Sequence, residues 1–279
     1  MSTYYLNAVT GGDANAGTSE AQPWLTLASA SRRLQPGDVL HTLPGVYDGT
    51  FRSGSGTVLA PITFRAKEAG TVTIDGSSRP GVWTRDPDGA WRTMWATYAF
   101  GVFFGTFEAR GNRCAAWDRS YNVHNSNPDF NLDPNGISQF KAGGGLLRVR
   151  TIDGASPVDN NVKIAVTELA LDLNDRSHIV VDGIRTRYHK HALGTRNGAN
   201  IHIVNCELGY AGDTCVWLVK LTGSTFKNNV VLGGGSYQGH YNDSVHLEGG
   251  QGTVVQGNRV SWGGHSGVIC LAAPGLKIL

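Results

Sequence analysis

Charge is scarce in this chain of 279 residues: Asp, Glu, Lys and Arg together make up 16% of it, where about a quarter is usual. The formal balance is +2, so no global field draws the protein to nucleic acid or to a membrane surface. Long apolar runs are also missing. None approaches the roughly 18 residues that a membrane span needs. The N-terminus, MSTYYLNAVTGGDANAG, lacks the basic-then-apolar order of a secretory signal. The expectation is a protein that stays inside the cell, or a mature form acting in an extracellular or periplasmic space. Cysteine is sparse and unpatterned. Cys114, Cys206, Cys215 and Cys270 make no CxxC pair, which favours free, mostly buried thiols over a disulfide framework.

Glycine, at 38 residues, and tryptophan, at 7, are plentiful. That is a turn-rich, all-β composition, too apolar and aromatic for disorder. Residues 4 to 9 read as a first strand, and GGDANAGTSEAQPW as a loop. In PWLTLASASRRLQPGD, Leu25, Leu27, Ala28, Ser31 and Leu34 share a helical face, and Pro36-Gly37 stops the helix. Short strands broken by Gly, Pro and Asp follow in VLHTLPGVYDGTF and APITFRAKEAGTVTIDG. Residues 82 to 150 are aromatic-rich without a repeat and read as a β-rich insertion.

From residue 175 a repeat appears. HIVVDGIRT, IHIVNCEL, TFKNNVVL and TVVQGNRVS align so that Ile184, Cys206, Asn229 and Asn258 fall in one column, at steps of 22, 23 and 29 residues. The local period is 2, with Gly and Asn at the corners. Short strands in a repeat of this length make a β-solenoid, whose coils bury their apolar residues by stacking about 4.8 Å apart. Asn229 and Asn258 fit an internal asparagine ladder. A β-sandwich with chance spacing is the alternative. The reading is a single domain over 1–279, with a cap and first coils at 1–80, the insertion at 83–145 and regular coils at 146–279.

DANAGTSEAQPWLTLASASRRLQPGDVLHTLPGVY and PITFRAKEAGTVTIDG resemble the N-terminal cap of right-handed parallel β-helix proteins that act on polysaccharides. HLEGGQGTVVQGNRVSWGGHSGVICLAAPG resembles their coils. The likeness is nearest to glycoside hydrolases of the xylosidase and fucosidase kind, and more distant to chondroitinase- and alginate-lyase-like β-helices. It covers roughly residues 1–80 and 145–279. It implies an all-β, right-handed parallel β-helix with a short capping helix; the cap is shared by hydrolases, lyases and non-enzymes. The relatives run to more coils, and APGLKIL ends in mid-coil. The expectation is an uncapped end that packs on a second copy as a homo-oligomer, or a fragment of a longer protein.

Counting from the repeat column places His191, Asp213, Asp243 and His265 on successive coils. HYNDSVHLEGG reads as a coil that bulges outward. Glycosidic cleavage needs two carboxylates, and Asp213 and Asp243 are the first candidates, with Glu248 and Glu207 in reserve. Turn residues making Asx hydrogen bonds would look the same. His191, His240, His246 and His265 are candidates to bind sugar hydroxyls or tune the carboxylates. HKH at 189–191 puts two histidines on one side of a strand. Tyr237, Tyr241 and Trp262 are candidate sugar platforms, whereas Trp217 in CVWLVKL reads as core. Trp83, Trp91, Trp95 and Trp117 in the insertion read as packing among themselves.

A hydrolase needs no cofactor. A lyase would take calcium from Asp213, Asp243 and carbonyls, and a base and uronate ligand from Lys190, Arg187, Arg196 or Lys220. No spacing marks a transition-metal site. The partner expected is a poly- or oligosaccharide. The leading reading is a glycoside hydrolase; a polysaccharide lyase, or a non-catalytic solenoid such as a phage tail or surface-binding protein, are the alternatives.

Overall fold

The structure is a computed structural model that describes residues 1–79, 81–95, 100–103, 138–139, 145–149, 156–159, 162–234, 243–263 and 266–279. Three parallel sheets run along it. The first joins Thr3–Leu6, Val39–Thr42, Ile62–Ala66, Ser177–Asp182, Ala199–Val204, Thr225–Lys227, Val254–Gln256 and Lys277–Ile278. The second joins Gly45–Asp48, Val72–Asp75, Ile184–Arg187, Glu207–Gly209, Val230–Gly234 and Arg259–Gly263. The third joins Thr167–Asp172, His189–Arg196, Val216–Val219, Val245–Glu248 and Val268–Leu271. From Ile62 to Leu271 each coil contributes one strand to each sheet in turn, as in a right-handed parallel β-helix.

Alternation builds the interior. Leu40, Phe64, Val181, Ile203, Phe226 and Val255 of the first sheet are buried, in register from coil to coil. The second-sheet column is the one the spacing predicts. Asn229 is 1% exposed and accepts from the Cys206 N–H at 2.9 Å, while its amide donates to Ile203 O and to Asn258 Oδ1 at 3.0 and 3.1 Å. Asn258 Oδ1 in turn accepts the Asn229 N–H at 2.8 Å. The ladder satisfies backbone donors that the corner leaves without a strand partner.

At the N-terminal end one helix, Leu27–Arg33, closes the core. Thr26 caps it, accepting from Ser29 N, and Asp13 accepts from the N–H groups of Leu25 and Thr26 and from the Thr26 hydroxyl. Its buried face is Leu27, Ser29, Ala30 and Ser31, continued by Leu34. Ala28 instead faces solvent, because the helix begins later than the loop that carries Leu25. The first strand is Thr3–Leu6, shorter than residues 4 to 9, since the chain turns after Leu6 to form the loop around Asp13. Among the described residues no helix is long and apolar enough to cross a membrane.

The chain leaves the coil after Asp75 and rejoins it at Thr167, between the second and third sheets. Ser77–Ser78, Gly101–Phe103 and Lys163–Ala165 pair antiparallel, as do Thr84–Arg85, Trp91–Trp95, Ser138–Gln139 and Gly145–Val149. Phe103 and Ala165 bury against Tyr188 and Tyr210 of the coils, and the Lys163 ammonium lies 4.3 Å from the Tyr188 ring centre. Trp91 packs under Arg85 at 5.7 Å. Trp117 and the side chain of Trp95 lie outside the described residues. Cys206 and Cys215 are free and buried, and Cys270 is free but exposed on an outer strand.

Candidate active site

The outward face of the third sheet gathers most of the described candidates. Val216 and Leu218 point inward, so Trp217 between them points out. It is not core, as its apolar neighbours led one to expect. Register sets Trp217 beside His246 on the next coil and Gly194 on the previous one. The His246 ring lies 4.4 Å from the Trp217 ring, tilted by 34°. On the other side the His191 ring stands edge-on at 6.0 Å. Trp217 is therefore flanked by two imidazoles.

The two imidazoles have different partners: His246 meets a carboxylate at each ring nitrogen, whereas His191 meets a backbone carbonyl. His246 is 2% exposed, with Nδ1 3.4 Å from Asp243 Oδ2 and Nε2 3.3 Å from Glu248 Oε2. Both partners are acceptors when ionised; a neutral ring donates to one, and an imidazolium to both. Asp243 is wholly buried, whereas the Glu248 side chain is 44% exposed. His191 Nδ1 lies 2.7 Å from the Thr214 carbonyl and 3.2 Å from Trp217 Nε1. The carbonyl contact is the shorter and a carbonyl only accepts, so Nδ1 carries the proton and does not also accept from the Trp217 N–H. That leaves the lone pair on Nε2. Burial holds the pKa of His191 below the usual imidazole value, with Asp213 pulling the other way.

An open groove of about 430 Å³ runs beside this cluster, lined by Glu168, Lys190, His191, Gly194, Arg196 and Trp217 among others. Gly194 forms part of its floor; a Cβ there would come within 2.7 Å of Leu169 Cδ2. Lys190 Nζ sits 3.5 Å from Glu168 and 5.5 Å from the Phe100 ring, which the antiparallel excursion brings to the groove.

The column of candidates shifts by one residue. Leu193 aligns with Val216, Val216 with Val245 and Val245 with Val268, so His191 stands in line with Thr214, Asp243 and Ser266. Asp213 and the position of His265 fall one residue early, because the corner before Val216 holds one residue more than the corner before Leu193. Asp213 is half-buried, and its Oδ1 accepts the Thr214 N–H at 2.7 Å, as a turn aspartate does. The two histidines of HKH separate. His189 is 1% exposed against the Gly49 carbonyl, while His191 lines the groove; Tyr188, at φ 56°, still turns the corner just before them. Glu207 pairs with Arg187 and Arg185 on the second sheet, away from the groove. Tyr237, His240, Tyr241 and His265 lie outside the described residues, as does the side chain of Trp262. Among the described residues no three His, Cys, Asp or Glu side chains are placed to hold a metal ion.

Glu168 and Thr214 belong to the site and went unnoticed in the sequence, since neither stands in a motif. Alternation in CVWLVKL was the signal for Trp217.

No family model and no curated protein matches the chain. The chain is similar to solved structures. A complex of XylC with xylose superposes with a TM-score of 0.62 at 13% identity, over 94% of this chain and 59% of that one. A rhamnogalacturonan lyase gives 0.49 at 11% identity, over 99% and 56%. Pectate lyase Pel9A gives 0.49 at 14%, over 93% and 48%. The chain thus spans about half the length of these structures.

Proposed function

We propose that the protein is a carbohydrate-active enzyme that binds a poly- or oligosaccharide along the third-sheet face and hydrolyses a glycosidic bond over Trp217. The observation that carries this reading is the arrangement around Trp217: an outward indole flanked by two imidazoles, with a carboxylate at each ring nitrogen of His246. The indole face takes the C–H face of a sugar ring. Glu248 is the solvent-reaching carboxylate in contact with His246 and serves as the proton donor to the leaving oxygen. Asp243 is buried and acts through His246, as a positioning residue. Asp213, on the His191 side of Trp217, activates water. Carboxylates on opposite sides of the ring suit inversion, where a water stands between them, better than the closer spacing of retention. The fold shared with the XylC–xylose complex fits this reading.

A second reading rests on the groove itself. Lys190 and Arg196 flank His191, whose Nε2 lone pair could accept a proton. Two cations beside a neutral base suit β-elimination from a uronate. Calcium, where such a lyase uses it, would neutralise the uronate carboxylate, with Asp213 the solvent-reaching ligand.

Kinetics of variants test the assignment. Glu248→Gln and Asp213→Asn are each expected to lower kcat by roughly 100-fold or more, with unchanged circular dichroism. Asp243→Asn should lower kcat less and displace the pH profile, and Trp217→Ala should raise KM by roughly tenfold. Full activity in both Glu248→Gln and Asp213→Asn would sink the hydrolytic assignment.

A further inference from the structure

We infer that the first sheet carries a second, non-catalytic glycan site at its N-terminal end, built by Tyr5, His41, Arg65, Lys67 and Glu20 and selective for an uncharged sugar unit. The inference rests on the glycan reading above and concerns a different face of the solenoid. Tyr5 pairs with His41, and His41 with Arg65, on three successive strands of the first sheet. All three residues alternate with the buried column of Leu40 and Phe64, so they project outward. The Tyr5 and His41 rings stack at 5.7 Å with a 22° tilt. Together with Glu20, Arg65, Ala66 and Lys67 they line a cavity of about 280 Å³, near the lower end of the roughly 300–1,000 Å³ of small-molecule sites.

The chemistry of the walls selects the ligand. Two ring systems supply apolar surface for sugar C–H groups. Burial, with Arg65 and Lys67 adding to it, holds the pKa of His41 below its usual value, so the imidazole is uncharged at neutral pH. The cations are already matched: Arg65 pairs with Asp182 at 2.8 Å and Lys67 with Glu20. Each cation thus has its own carboxylate, so the cavity is rich in donors and acceptors but offers no unpaired charge to a uronate or a phosphate. Hydroxyl groups of a neutral pyranose fit such a surface. A site here would hold a long glycan to the enzyme while the third-sheet groove works on another stretch of it, raising the effective concentration of substrate.

Affinity electrophoresis of the full chain through gels containing xylan, mixed-linkage β-glucan, galactomannan or polygalacturonate tests the site, beside cleavage of short oligosaccharides of the same sugars. The wild type should be retarded by at least one neutral polymer and less by polygalacturonate. Tyr5→Ala and His41→Ala should each weaken that retardation about five- to tenfold, Tyr5→Trp should restore it, and cleavage of short oligosaccharides should stay unchanged in all three. Retardation that is absent in the wild type, or equal in wild type, Tyr5→Ala and His41→Ala, overturns the site. Retardation that falls in these variants while no oligosaccharide is ever cleaved supports it and counts instead against the catalytic reading of the groove.

Discussion

His189 is 1% exposed, and its Nε2 donates to the Gly49 carbonyl at 3.2 Å. Burial pushes its pKa from 6.5 down to about 4. The sign follows from linkage. The unfolded chain binds a proton below 6.5 and the folded chain does so only near 4, so the stabilisation is complete above the upper value and is lost as pH falls to the lower one. The loss is on the order of 3 kcal/mol. His189→Gln, which keeps a donor for Gly49, should flatten that part of the profile. Equal pH dependence of urea unfolding in wild type and variant between pH 7 and about 4 would contradict the account. At this scale the sequence was legible where a ladder fixes the register, as at Asn229 and Asn258, and illegible where a corner does not. Asp213 was misplaced by one position because residues 210–215 form a corner outside the strands, one residue longer than the corner before Leu193, and no repeated side chain marks the extra residue. Burial was hidden for the same reason: the spacing of Asp213 and Asp243 says nothing of the solvent that only the first of them meets.

The corners are elements in their own right. Gly183, Asn205, Asn228 and Gly257 all have φ between 55° and 73°, and they precede Ile184, Cys206, Asn229 and Asn258. After the third sheet, Asp175, Asn197, Lys220, Gly249 and Ala272 repeat the conformation, with φ from 44° to 60°. Each coil thus turns on a left-handed residue, which explains the glycine and asparagine that mark the repeat in the sequence. Two nearby glycines separate conformation from space. Gly250 has φ 84°, and a Cβ there would lie 2.1 Å from the Leu221 carbonyl oxygen; Gly252 has φ 67° and open space around it. Gly252→Ala should cost about 1 kcal/mol, and Gly250→Ala more than about 3 kcal/mol, read from denaturant midpoints. Equal losses would mean that the backbone conformation alone decides. Strands and corners were readable because both repeat. The excursion between Asp75 and Thr167 has no repeat, and only its aromatic content announced it; that it brings Phe100 to Lys190 follows from antiparallel pairings between distant segments that no local pattern encodes.

The whole molecule is a stack in which each coil touches only its neighbours, so stability is shared along one dimension. Strands with partners on both sides, such as Ser177–Asp182 and Ala199–Val204, carry the buried column. Val268–Leu271 and Lys277–Ile278 have a described partner on one side, and Val268, Leu271 and Ile278 are 43%, 40% and 59% exposed. Amide exchange should be slowest across the strands between 177 and 232 and fastest, among strands, at 268–271 and 277–278. Uniform protection along the axis would contradict a stack that frays coil by coil. The same geometry brings His191, Trp217, His246 and Glu248 together from three coils, and the central claim is that this face hydrolyses a glycosidic bond. The most direct measurement is mass spectrometry of products after incubation with neutral and uronate-containing polysaccharides in water enriched in oxygen-18. The account predicts fragments each carrying one added water, with the label at the new reducing end. Unsaturated fragments without added water, or no fragments from any polymer, would contradict it.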